Sequence, residues 1–151
     1  MAPAPWQRDV RILTVGNPQP ATLLWRERLT AATVSGGDAP APQRLLRVFD
    51  VLGDWFAEPD FRGCPFINAM AEFTVGHPAA VVTATYRSGL RELFEDLCRQ
   101  AGIAKPHAVA LQLAMLYDAA IITAHLDRDQ DAAATARAAA EALLQQHTAP
   151  I

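Results

Sequence analysis

Residues 42–73 read PQRLLRVFDVLGDWFAEPDFRGCPFINAMAEF, and the spacing of their apolar side chains sets the fold class. Leu45, Val48, Phe49, Leu52, Trp55 and Phe56 recur every three or four positions, while Arg44, Arg47, Asp50 and Asp54 lie elsewhere. This is the stripe of an amphipathic helix, running from about Pro42 to Phe56 and facing a core. Gly63-Cys64-Pro65 follows. Proline lacks the N–H that the first turn of a helix leaves unused, so Pro65 marks a first helical position. A short helix is predicted from there to about Phe73.

Outward from this stretch the same punctuation recurs. On the N-terminal side, Leu23, Leu24, Trp25 and Leu29 fit a helix from about Thr22 that stops before Ser35-Gly36-Gly37-Asp38. Residues 1–20 hold Pro3, Pro5, Pro18, Pro20 and the turn pair Gly16-Asn17, around a strand-like run from Val10 to Val15. They read as an irregular segment. On the C-terminal side, Gly76-His77-Pro78 opens a long helix to about Gln100, and Ala101-Gly102 ends it. His77 stands where a side chain can satisfy free amides of the first turn. Lys105-Pro106 opens a helix to about Leu126, Asp127-Arg128-Asp129-Gln130-Asp131 is a turn, and Asp131 is a candidate N-cap for a last helix from Ala132 to about His147. The expectation is an all-α single domain of about six helices over 21–151, behind the irregular residues 1–20.

Composition narrows the function classes. Apolar residues make up 51% of the 151-residue chain and charged residues 19%, as in a globular protein with one core. A net charge of −3, with the arginines dispersed among carboxylates, offers no clustered basic surface for a phosphate backbone. Two cysteines are too few for a disulfide scaffold, and the first residues lack the apolar core of a signal peptide. The most apolar run, Ala108 to Ala124, contains Gln112 and Asp118. An aspartate at mid-membrane costs about 2.5–3.5 kcal/mol, so that run reads as a buried helix of a cytoplasmic protein, with no membrane contact.

Catalytic and metal constellations are sparse. Ser35 and Ser88 lie outside any nucleophile-elbow context, and there is no glycine-rich phosphate loop. Asp127, Asp129 and Asp131 have the opening spacing of a calcium loop, but Ala132 and Ala138 occupy the positions that require glycine and glutamate. His77, His107, His125 and His147 stand in separate segments. No enzyme, metal or cofactor is expected.

Three features invite a functional reading. Cys64 lies at a helix start beside Arg62, and both settings favour a thiolate; a redox- or electrophile-sensing thiol is the alternative function considered. The aromatic residues Trp55, Phe56, Phe61, Phe66, Phe73 and Tyr86, with Asn68, Glu72, Tyr117 and Asp118 as polar points, have the make-up of a small-ligand pocket. Ordinary core packing is the competing reading. Finally, the helix over 107–126 is apolar on two faces: Val109, Leu113, Leu116, Ala120 and Ala124 on one, Leu111, Met115, Ile122 and Leu126 on another. A second copy would cover the surplus. The expected dimer face comprises Val109, Leu113, Leu116 and Ala120 with Ala136, Ala140 and Leu143 of the alanine-rich last helix.

The run Leu52-Gly53-Asp54-Trp55-Phe56-Ala57-Glu58-Pro59-Asp60-Phe61-Arg62-Gly63-Cys64-Pro65-Phe66-Ile67-Asn68 resembles a segment recurring in one subgroup of TetR/AcrR-type transcriptional regulators. Ala71-Glu72-Phe73, His77-Pro78, Leu90-Arg91-Glu92-Leu93 and Ala101-Gly102-Ile103-Ala104 follow in the matching order. The resemblance spans about residues 22–147. It implies the family's C-terminal regulatory domain, with a small-molecule effector held near residues 52–90 and homodimerisation through the last two helices. The family's helix-turn-helix does not fit in the proline-interrupted residues ahead of the match. The chain is therefore expected to be a truncated regulator or free-standing sensor that does not bind DNA by itself, and that can pair with a full-length paralogue as a heterodimer.

Overall fold

The computed structural model describes residues 19–34, 37–59, 61–72, 74 and 76–148, without the side chains of residues 19–24, 69, 71 and 72. The strand-like run Val10–Val15 and the residue Phe73 lie outside the described residues. Among those described there are six helices: α1 Gln19–Val34, α2 Ala41–Phe56, α3 Pro65–Glu72, α4 Pro78–Gln100, α5 Pro106–Leu126 and α6 Ala132–Thr148.

The helix boundaries follow from proline and glycine. Pro65, Pro78 and Pro106 each occupy the first residue of a helix, where the missing N–H has no cost. His77 caps α4, its Nδ1 accepting from Ala79 N at 3.2 Å. At the far end of α4, Ile103 N donates to Cys98 O at 3.0 Å and Gly102 N to Arg99 O at 3.0 Å, with Gly102 at φ +72°. That left-handed glycine followed by the buried Ile103 is a Schellman stop. Before α6 the acidic turn closes on itself, Asp129 Oδ1 accepting from Asp131 N at 2.9 Å.

The bundle is built around α4 and α5. These two pack on each other, α5 also packs on α6, and α6 returns to lie along α2. α1 covers α2 and α4, and the short α3 packs on α4. The stripe of α2 is buried along its whole length, with Leu45, Val48 and Leu52 fully enclosed. Alanines at 133, 136 and 140 let α6 approach closely; the nearest atom to a Cβ built on Gly53 of α2 is Ala133 Cβ, at 3.7 Å. α5 is long and apolar enough to cross a membrane by length and composition. Eight of its residues are nevertheless buried in the bundle, and its Asp118 is paired with Arg87 of α4 at 2.7 Å.

Candidate functional site

Of the aromatic side chains expected to line a pocket, Trp55, Phe56 and Phe61 touch one another, and Phe66 touches Tyr86. Trp55 lies 4.8 Å from Trp25 and 5.0 Å from Phe61, centroid to centroid, and Phe61 lies 4.9 Å from Phe56. Phe66 of α3 stacks on Tyr86 of α4 at 4.3 Å with 13° between the planes. Between these two groups runs a buried polar chain: Trp25 Nε1 donates to Tyr117 Oη at 2.7 Å, and Tyr117 Oη lies 3.1 Å from Tyr86 Oη. Thus α1, α4 and α5 are tied together inside the core by three side chains. Burial raises the pKa of both phenols, so each stays protonated.

Next to this chain lies Cys64, and here the sequence-based reading needs correction. The thiol does sit at the start of α3, and the amides of Ile67 and Phe66 draw its pKa down. Desolvation outweighs them: the side chain is 3% exposed and its pKa is pushed up to about 11. Arg62 points elsewhere, donating to Phe61 O at 2.7 Å. A buried neutral thiol lacks both the charge and the access that a sensing cysteine needs, so the redox reading is set aside.

Asn68 does not face the cluster. It is exposed, and its Nδ2 donates to Arg62 O at 3.1 Å, pinning the loop ahead of α3. The side chain of Glu72 and all of Phe73 lie outside the described residues. In their place stand residues that spacing did not single out. Trp25 reads as one more apolar position of α1, and no sequence signal marks its indole as a partner for Tyr117. His125 of α5 meets Phe61 edge-on at 6.2 Å and lies against Gly63. His125 and Phe61, together with Phe56, Glu58, Arg62, Arg128 and Gln130, border an open cleft of about 560 Å³. Phe56 and Phe61 therefore have one side on the ring cluster and the other on the cleft. Among the described residues, no three of His, Cys, Asp and Glu come close enough to hold a metal ion.

The residues expected at the dimer face pack mostly within their own chain. Val109, Leu113, Ala120, Ala136 and Ala140 are buried within the single chain, while Leu116 and Leu143 are half-buried against the same core. The face left open on α5 is the other one: Met115 is 64% exposed, Leu126 71%, and Leu111 and Ile122 43% each. With exposed Ala108 and Ala119 they form one continuous stripe, each residue three or four positions from the next. On α6, Ala134, Ala138 and Ala142 are exposed at matching spacing.

This bundle, with a short third helix on a long fourth and two apolar helices at the C-terminus, has the fold of the TetR-type regulators. A TetR-family transcriptional regulator from Streptomyces coelicolor matches 87% of the chain with a TM-score of 0.78 and 27% sequence identity. The chain spans 64% of the length of that structure. A second structure, assigned to the TetR transcriptional regulators and from Streptomyces avermitilis, shares the fold with a TM-score of 0.62 at 19% identity over 91% of this chain and 98% of the other. No family model matches the sequence, and no curated protein does.

Proposed function

We propose that the chain is the effector-sensing and dimerising module of a cytoplasmic TetR-type transcriptional regulator. One observation carries the reading: on a fold shared with a TetR-family regulator, the long apolar helix α5 leaves a continuous apolar stripe uncovered. A second copy supplies the cover. The large side chains of the α5 stripe fit against the alanines of α6 across a twofold axis, which gives a four-helix interface. Each fully covered Leu, Met or Ile contributes about 1.5–3 kcal/mol, and twofold symmetry counts every contact twice.

The effector is a small apolar molecule held among the aromatic rings, with the cleft beside Phe56 and Phe61 as its outer mouth. Neither catalysis nor DNA contact belongs to the helices described. A DNA-reading element, on the same polypeptide or on a full-length paralogue with which this chain pairs, completes the regulator. Titration with the neutral dye N-phenyl-1-naphthylamine tests the sensing half. Saturable binding of one dye per chain, with quenching of Trp25 and Trp55, is expected; fluorescence that rises without saturating, or not at all, contradicts it.

A further inference from the structure

Three donors meet in the core at two oxygens. Trp25 Nε1–H is bonded to Tyr117 Oη, and the two phenol oxygens are bonded to each other. Whichever phenol donates in that second bond, one O–H remains over. If Tyr117 donates, the spare hydrogen belongs to Tyr86; if Tyr86 donates, it belongs to Tyr117. Among the described residues no hydrogen bond takes it up, and the Cys64 sulfur beside the two phenols is only a weak acceptor. Tyr86 and Tyr117 are both almost wholly buried, where an unmet donor loses its bond to water without replacement. A pair of phenylalanines would pack there without that cost.

The surroundings define what would meet the spare hydrogen. The rings packed around it are apolar, with Phe66 stacked on Tyr86 and Phe94 edge-on to Tyr117 at 6.2 Å. Desolvation keeps both phenols protonated, so the group is a donor at physiological pH. The Asp118 carboxylate, paired with Arg87, acts on both phenols. An anionic ligand would sit beside a carboxylate, and an ammonium ligand would bring a donor to a donor. We infer that the inner end of the effector site selects a neutral, largely apolar molecule that carries a carbonyl-type hydrogen-bond acceptor. This inference rests on the effector-sensing reading above.

Benzophenone and diphenylmethane test it, since they share a shape and differ by a carbonyl in place of a methylene. On the wild-type chain benzophenone binds about 5- to 150-fold more tightly, the fold-change corresponding to about 1–3 kcal/mol for a buried hydrogen bond. The carbonyl stretch of bound benzophenone moves to lower wavenumber. Tyr86→Phe alone keeps the preference, because Tyr117 then holds the spare hydrogen. The triple variant Trp25→Phe/Tyr86→Phe/Tyr117→Phe loses it; the indole is replaced as well because its Nε1–H, deprived of Tyr117 Oη, would otherwise serve as the donor. Equal binding of the two probes to the wild type overturns the inference and means that a buried water meets the spare donor, while the sensing reading stands. Binding of neither probe also overturns it, and the mass of the same sample reports separately on dimerisation. Should the triple variant fail to fold, the wild-type preference and the carbonyl shift still decide the question.

Discussion

At Cys64 two effects of opposite sign act on one sulfur. A helix start and its amides favour the thiolate, and burial opposes it more strongly, leaving the pKa at about 11. The sequence displays the first effect, since Gly63-Cys64-Pro65 announces a helix start; it does not display the second, because burial depends on helices far away in the chain. Two consequences can be measured. At pH 7.5 the folded protein should react with a thiol reagent such as a maleimide far more slowly than the same protein in denaturant, and equal rates would mean that Cys64 is accessible. The second concerns alkaline stability. The folded pKa lies above the unfolded value near 9, so the contribution of the neutral thiol is fully present below pH 9 and is lost as pH rises through about 11. Two pKa units correspond to about 2–3 kcal/mol. Denaturant midpoints should therefore fall between pH 9 and 11, and Cys64→Ala should flatten part of that fall. The polar tie of Tyr117 was only half legible. Tyr86 and Tyr117 stand out as polar aromatics, but their partner Trp25 looks like any apolar residue of α1.

The helices themselves were largely legible, because their starts are written in proline and their stops in glycine. Pro65, Pro78 and Pro106 begin three helices at the positions that the sequence indicates, and Gly102 ends α4 as expected. Gly63 shows why such punctuation is specific. It adopts φ +80°, and a Cβ at that position would lie 3.1 Å from the ring of His125. Gly63→Ala should therefore cost about 1–3 kcal/mol of stability, read as a lower denaturant midpoint with an unchanged slope; an unaltered midpoint would show that the loop before α3 is free to relax. The face of α5 that meets the core was not legible. Periodicity separates inside from outside only when one side is polar, and α5 is apolar nearly all round. Val109 and Met115 are equally apolar in sequence, yet the bundle encloses the first and leaves the second in the open. The packing of α4 and α6 against α5 makes that choice.

For the whole molecule, the open stripe of α5 is what links fold to function. Leu111, Met115, Ile122 and Leu126 contribute little to the core of one chain, so changing them should alter association and leave folding intact. Met115→Glu/Ile122→Glu is expected to give a helical monomer with the wild-type thermal midpoint or one lower only by the loss of pairing. Ala140→Glu, at a wholly enclosed position of α6, should unfold the chain instead, because it buries an unpaired charge. A double variant that stays associated would place the interface elsewhere. The most direct measurement is the mass of the wild-type chain in solution at micromolar concentration, by sedimentation equilibrium or light scattering. A dimer is expected, at twice the 16.3 kDa of one chain. A species of 16.3 kDa that does not associate as concentration rises would contradict the account.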